Sequence, residues 1–468
     1  MRNKPFIKLF KSASGFYVYD INTNQILKTS DVLYNSLSSI LKYGLQITDS
    51  FSDEIKQQLI NLSNEGYLKE NPIQRIVSPY HRFYKSFLYG KMSSLVLEVT
   101  QQCNFRCEYC DYSSHEFFNR NHNIKDMSID MAKRAIDIYF ENSIYENIKS
   151  FAFYGGEPLL VYQLIKQCVQ YIQTKVDNNE TIYRITTNGS LLTEEMVQFF
   201  SENNFLITIS LDGPPYYHNK NRKFSCNSIG TFQLVYQKLK MIHELQYKYP
   251  LSININAVWD GSLPKKVIED YFMNDPIIGN YPFEINEMSS SDLNTYFAIE
   301  EDDILIDGNN KLKRILTNKF LKKNNTARNE ENKHLLDMLK VHTSLSEEYH
   351  PSGMCIAGQK NLYVTADGDF FPCEKFSTNC KYAQIGTITE GFDCTQINKL
   401  LNLGQITEEE CKKCWAVRLC SICALGANGG EVLSREAKLS YCTLQKQNIL
   451  QDLKNLVTLI AIDKTLLK

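Results

Sequence analysis

No run in this chain reaches the roughly 18 apolar residues of a membrane-crossing helix, and the opening residues MRNKPFIKLFKSASG lack the apolar core of a secretory signal. Charge of one sign is lacking too. Lys and Arg number 51 against 53 Asp and Glu, which argues against bulk nucleic-acid binding and against a polybasic membrane anchor. The expectation is a cytoplasmic protein with no nucleic-acid and no membrane partner. Cysteine is missing between Cys226 and Cys355, yet nine of the fourteen cysteines lie after residue 350. In a reducing compartment that crowding reads as metal ligation rather than as disulfides. What remains is a folding composition: 468 residues, 43% hydrophobic and 12% aromatic, enough for roughly two to four domains and a large core.

The most informative stretch is CNFRCEYC, which follows the apolar run LVLEVT and sets Cys103, Cys107 and Cys110 at the spacing C-x3-C-x2-C. Three thiolates on one tight loop can hold three irons of a [4Fe-4S] cube and leave the fourth for a non-protein ligand. A zinc loop is the alternative for the spacing alone. The stretch closely resembles the signature of the radical S-adenosylmethionine (SAM) superfamily. That resemblance implies that the fourth iron binds the amino and carboxylate groups of SAM, and that an electron from the cluster cleaves SAM to a 5'-deoxyadenosyl radical.

From about residue 93 to 288, strand and helix patterns alternate. Strands are predicted at 95–100, 150–154, 183–187, 206–211, 252–258 and 282–288, with helices at 128–146, 161–176, 193–203, 229–249 and 264–273 between them. Six βα units are too few for a closed barrel of eight. The resemblance implies an α/β partial (β/α)6 TIM-like barrel with its chemistry at the C-terminal strand ends. Candidate SAM-binding residues fall there. GGEP, including Gly156 and Glu157, matches the family's motif for the SAM amino group, with glycines allowing close backbone approach. Asn188 in TTNGS, and Ser210, Asp212 and Arg222 in SLDGPPYYHNKNR, match the carboxylate- and ribose-binding positions. Val258 and Tyr109 are candidates for packing on adenine or for ordinary core. Asp212 can equally cap its turn, and His218 is read as a loop hydrogen-bonder. Cys168, on an apolar helical face, is read as a buried hydrophobe and Cys226 as a free thiol.

The flanks complete a four-part organisation. Residues 1–80 carry short strands, then two amphipathic helical patterns, then NEGYLKE, which is similar to the wing of a winged helix. The whole resembles the winged-helix-like leader-peptide recognition domain of peptide-modifying enzymes, which takes up a leader as an added strand. The barrel spans 81–288, and 289–350 is a charged bridging region. Residues 351–468 hold Cys355, Gly368, Cys373 and then CKKCWAVRLCSIC with a final Cys442. This resembles the SPASM domain, with one gap of two residues where the usual pattern has three. The resemblance implies one auxiliary [4Fe-4S] cluster on Cys411, Cys414, Cys420 and Cys442, and a second on Cys355, Cys373 and Cys423. Either Cys380 completes the second, or one iron is left for a substrate thiolate. Zinc knuckles are the alternative for the whole set.

Together these imply three [4Fe-4S] clusters, SAM and a flavodoxin- or ferredoxin-type reductant. The implied activity joins a cysteine sulfur of a ribosomally made precursor peptide to a carbon, forming a thioether, with Glu374 a candidate proton acceptor or a plain surface carboxylate. Alternatives are a sulfatase-type maturase that oxidises cysteine or serine to formylglycine, a carbon-carbon cross-linking maturase, and, in another class, an iron-sulfur electron carrier or a zinc-binding scaffold.

Overall fold

The computed structural model describes residues 4–110, 112, 122–287, 339–340, 344–351 and 355–462. Nearly all of the bridging region read at 289–350 lies outside the described residues. The N-terminal unit begins with an antiparallel meander, β1 (Ile7–Ser12), β2 (Gly15–Asp20) and β3 (Gln25–Thr29). Helices Asp31–Tyr43 and Asp53–Asn64 follow, each started by a serine whose hydroxyl accepts an orphan backbone N–H, Ser30 from Leu33 and Ser52 from Ile55. The stretch read as a wing closes the unit as a turn instead. Positive φ at Gly66 (96°) and Leu68 (60°) interrupts any extended run there, while the Leu68 N–H donates to the Asp20 carboxylate at 2.8 Å and the Tyr67 hydroxyl to Gln25 at 2.6 Å.

Alternation along the meander gives it two apolar faces. Ile7 and Val18 pack on Leu33, Leu37, Ile40 and Ile55 of the unit's own helices. Phe10, Tyr17 and Tyr19 pack on Val417 and on Ile449, Leu453 and Val457 of the long C-terminal helix Arg435–Ile462. Arg418, 6% exposed, fastens this contact by donating to the carbonyls of Ile21 at 2.6 Å and Asn22 at 2.9 Å.

The central sheet contains all six expected strands: β4 (Leu95–Thr100), β5 (Lys149–Gly155), β6 (Thr181–Thr187), β7 (Phe205–Ser210), β8 (Ser252–Trp259) and β9 (Phe283–Glu287). They are parallel and pair in chain order. Helices Ile129–Asn142, Tyr162–Gln173, Glu194–Glu202, Phe232–Leu245 and Lys265–Asn274 occupy the connections, as a right-handed parallel sheet requires. Cys168 is fully buried on the second of these, with Ile165, Val169 and Ile172. Cys226 is exposed.

The C-terminal section is not a separate body. Its strand β10 (Leu362–Val364) pairs in parallel with β4, and β11 (Asp369–Phe371), β12 (Gly386–Thr387) and β13 (Gly391–Phe392) extend the same sheet antiparallel to ten strands. β4 is therefore paired on both edges, and all six of its residues are buried. That includes Glu98. Its carboxylate accepts from Tyr112 Oη (2.6 Å), Gln101 Nε2 (3.0 Å), Tyr363 Oη (2.8 Å) and the Ala366 N–H (3.0 Å), so a buried acid is satisfied by four donors from two distant parts of the chain.

Replacing Glu98 with Ala strands these donors. Since each orphaned buried donor costs about 1–3 kcal/mol, Glu98→Ala should lower unfolding stability by about 3 kcal/mol or more in chemical denaturation, and Glu98→Gln by less. An Ala variant with the wild-type midpoint would show that the four bonds contribute nothing.

Candidate active site

The cysteine loop is held from two sides at the C-terminal end of β4. Residues Phe105–Cys107 form a short antiparallel ribbon with Arg222–Phe224, Cys107 opposite Arg222 and Phe105 opposite Phe224, and the two Phe rings meet edge-on at 5.3 Å. From the other side comes the turn after β5. A Cβ on Gly155 would lie 2.1 Å from the Thr100 carbonyl oxygen, and one on Gly156 would lie 2.1 Å from that of Gln102. The N–H groups of Gly156 and Glu157 donate to those same carbonyls at 2.9 and 2.8 Å. The glycines thus serve the approach of one loop to the other, a nearer reason than the approach to methionine expected from the motif.

Between these loops is a cavity of about 250 Å³ whose wall includes Cys103, Cys107, Cys110, Tyr109, Gly156, Asn188, Ser210, Arg222 and Val258. Of the eight candidate SAM positions, all but Glu157 and Asp212 line this one space, with the three cysteines. Thr186 and Thr187 of TTNGS line it too, beside Tyr154, which belonged to no motif. Asn188 is fixed by its amide, which donates to Asn104 at 2.9 Å and accepts from the Ser190 hydroxyl at 2.7 Å.

Glu157 and Asp212 stand behind the wall. Both are fully buried. Asp212 receives the Tyr109 hydroxyl (2.5 Å), Arg222 through Nε (2.9 Å) and Nη2 (3.0 Å), and the Val258 N–H (3.0 Å). One carboxylate therefore orients three wall residues from three segments, a larger part than a turn cap. Arg222 is committed to this ion pair and lies 5.3 Å from the Tyr109 ring centre. His218 is buried and neutral, since burial pushes its pKa down to about 3. It accepts the Asp212 N–H at 3.3 Å and contacts Thr231 Oγ1 at 2.9 Å, which is the hydrogen-bonding part read from the sequence.

The Glu157 carboxylate accepts from Thr187 Oγ1 (2.6 Å), the Leu159 N–H (3.0 Å) and the Asn188 N–H (2.7 Å). It braces the turns after β5 and β6 rather than facing the cavity. Burial nonetheless lifts its pKa from 4.5 to about 7.

A second, larger space of about 860 Å³ is the barrel interior. Its wall includes Ala152, Arg184, Thr208, Asn254, Glu284 and Glu374, and it shares Tyr154 and Thr186 with the first cavity. Glu374 follows Cys373 in the chain. Burial pushes the Cys373 thiol up to about 12, and the nearby charges of Glu374, Cys355 and Cys423 act the same way. Cys355, Cys373 and Cys423 are thus neighbours. Cys411, Cys414, Cys420 and Cys442 form another group: burial raises Cys414, Cys420 and Cys442, and each feels Cys411 as well. Cys380 is buried, with its sulfur 3.7 Å from Asn428 Oδ1.

Among the described residues, no three His, Cys, Asp or Glu side chains converge as the ligands of a single ion would. Cys103, Cys107 and Cys110 fit a [4Fe-4S] cluster at the cavity wall, with the Phe105 N–H 3.4 Å from Cys103 Sγ.

Glu157 supplies a pH test. Its pKa in the folded chain exceeds the ordinary 4.5, so the folded chain keeps a proton that the unfolded chain has lost. Its stabilising contribution is complete below about pH 4.5 and disappears as pH rises through about 7. Denaturation midpoints of the metal-free chain should fall across that window, and Glu157→Gln should flatten the fall. An unchanged slope in the variant would remove Glu157 as its source.

The sequence profile of the Radical SAM superfamily matches residues 97–258. A cysteine-type anaerobic sulfatase-maturating enzyme of Clostridium perfringens is 28% identical over 354 residues, 70% of this chain and 87% of that one. The radical SAM cyclopropyl synthase TigE of Paramaledivibacter caminithermalis is 23% identical over 306 residues, 61% of this chain and 62% of that one. Among solved structures, native anSMEcpe with bound AdoMet and Cp18Cys peptide superposes with a TM-score of 0.55 at 22% identity, covering 78% of this chain and 98% of that one. With its cysteine loop, glycine turn and strand order, the chain carries a radical SAM domain over residues 97–258.

Proposed function

We propose that this protein is a peptide-modifying radical SAM enzyme that installs thioether cross-links in a cysteine-containing precursor peptide. The observation that carries this reading is the three-thiol group Cys355, Cys373 and Cys423, one thiol fewer than its neighbour, set against the barrel interior through Glu374. With a [4Fe-4S] cluster on Cys103, Cys107 and Cys110 and SAM beside it, the bound group supplies a 5'-deoxyadenosyl radical. Tyr109, Asn188, Ser210, Arg222 and Val258 would seat SAM, and Gly156 keeps the two loops in contact around it. Cys355, Cys373 and Cys423 would hold an auxiliary cluster with one iron free for a substrate thiolate, and Cys411, Cys414, Cys420 and Cys442 would hold another.

The net change is R–SH + R'–H to R–S–R', a loss of two hydrogens. One hydrogen atom leaves with 5'-deoxyadenosine, one proton goes to a base, and one electron to a flavodoxin- or ferredoxin-type partner. Glu374 is the proposed base, because it lines the cavity in which the peptide would lie. The barrel walls hold carbon and sulfur in near contact and exclude solvent, which would otherwise quench the carbon radical.

The N-terminal unit would capture the leader. β3 is an edge strand of its sheet, so an extended peptide can add to it by main-chain hydrogen bonds. Both the 1–80 unit as a leader-recognition domain and the 351–468 section as a SPASM domain belong to this proposal. A second reading, oxidation of a protein cysteine to formylglycine, is favoured by the sulfatase-maturating relative, which aligns with 70% of this chain.

Mass spectrometry of a co-expressed precursor separates the two. The expected product has lost two hydrogens per cross-link and its cysteine resists alkylation; an aldehyde in place of the cysteine selects the second reading. Anaerobic reduction with SAM should release 5'-deoxyadenosine, and its absence from an iron-loaded preparation would rule out both. For the leader, hydrogen exchange should slow at Gln25–Thr29 when a synthetic leader peptide is added to the full-length chain. Slowing confined to other elements would place the leader off β3.

A further inference from the structure

Lys438 is 3% exposed, an ammonium buried among cysteines. On the C-terminal helix, Lys438, Cys442 and Lys446 are four residues apart and so share one face. Lys438 Nζ donates to Thr407 Oγ1 and, at 3.5 Å, to Cys411 Sγ. The Thr407 hydroxyl, accepting from the lysine, also lies within hydrogen-bond reach of the same sulfur at 3.3 Å. Cys411 Sγ thus has two side-chain hydrogen-bond partners, Lys438 and Thr407. The partners of Lys438 are a hydroxyl and a thiol rather than a carboxylate, and an ammonium buried without an anion is costly. Four thiolates around a cluster would supply that anion.

We propose that Lys438 raises the reduction potential of the cluster held by Cys411, Cys414, Cys420 and Cys442, and so makes that cluster the preferred acceptor of a single electron. The inference rests on the reading that these four thiols hold a cluster. One-electron reduction adds a negative charge to it. A desolvated cation and hydrogen bonds to a ligand sulfur stabilise the added charge more than they stabilise the oxidised form. Lys446, on the same face, is exposed, so solvent and salt screen it. Lys438 is a positioning residue for charge and touches no substrate.

The test uses full-length chain in which Cys103, Cys107, Cys110, Cys355, Cys373 and Cys423 are Ala, reconstituted anaerobically with iron and sulfide. Absorbance and electron paramagnetic resonance are followed through a dithionite redox titration. Failure of this chain to take up iron, or uptake unaffected by Cys442→Ala, refutes the underlying reading and the inference with it. Given a cluster, Lys438→Met and Lys438→Gln should shift its potential downward, while Lys438→Arg and Lys446→Met should leave it near the starting value. Gln keeps a hydrogen bond to Thr407 without charge, so it separates the charge from the contact. A wild-type potential in the Met and Gln variants overturns the inference. If Met and Gln fail to load iron while Arg loads, a required charge beside the thiolates is supported; failure of all three assigns Lys438 to packing and overturns it.

Discussion

Four hydrogen bonds to the buried carboxylate of Glu98 join the parts of this protein that its chemistry needs in one place. Tyr112 and Gln101 belong to the segment around the cysteine loop, and Tyr363 and Ala366 to the C-terminal section. Glu98 itself lies in the interior strand that pairs with the barrel on one side and the C-terminal section on the other. A buried carboxyl group at such a position is costly unless its hydrogen-bonding capacity is used. Because the donors come from different segments, the carboxylate is satisfied only when all of them are in register. It therefore specifies how the C-terminal cysteines sit against the barrel more than it adds to gross stability.

Around the smaller cavity the same device recurs. Asp212 is a buried carboxyl group whose partners are Arg222, Tyr109 and the Val258 backbone, and Glu157 another whose partners are Thr187 and two backbone N–H groups. Buried ion pairs such as Asp212–Arg222 add little net stability, because desolvation offsets the attraction. Their value lies in geometry: wall side chains held by rigid partners need not be reorganised when a ligand enters. Backbone contact at Gly155 and Gly156 then fixes the cysteine loop to within the reach of a carbonyl, where any side chain would force the loops apart.

The barrel was legible because its strands and helices repeat with clear periods, and each predicted strand lies within two residues of the observed one at either end. The wall positions were legible because motifs mark strand ends. What escaped was set by tertiary pairing. Addition of β10 to the edge of β4 depends on contacts more than two hundred residues apart in the chain, which no local period encodes. The wing at NEGYLKE failed because a positive φ at Leu68 serves a bond to Asp20, a distant demand. Glu98 did leave a signal, a lone charge inside LVLEVT, that the apolar reading of the strand passed over. Lys438 left none, since a lysine on a helix is ordinarily a solvated one.

The three cysteine groups differ in the cations beside them, and the differences follow from which element brings each cation. Arg222 reaches Cys107 through the ribbon, but its charge is already matched by Asp212. Lys360 acts on Cys355 from an exposed position, where water and salt weaken it. Lys438 acts on Cys411 from a buried one, with a hydroxyl and a thiol as its side-chain hydrogen-bond partners among the described residues. Identical clusters in these three settings would experience different local potentials, since charge and hydrogen bonding to sulfur govern their redox behaviour. If clusters occupy these groups, a chain with a net charge of only −2 would in this way still direct an electron, because a cation shielded from water acts more strongly than screened surface charge.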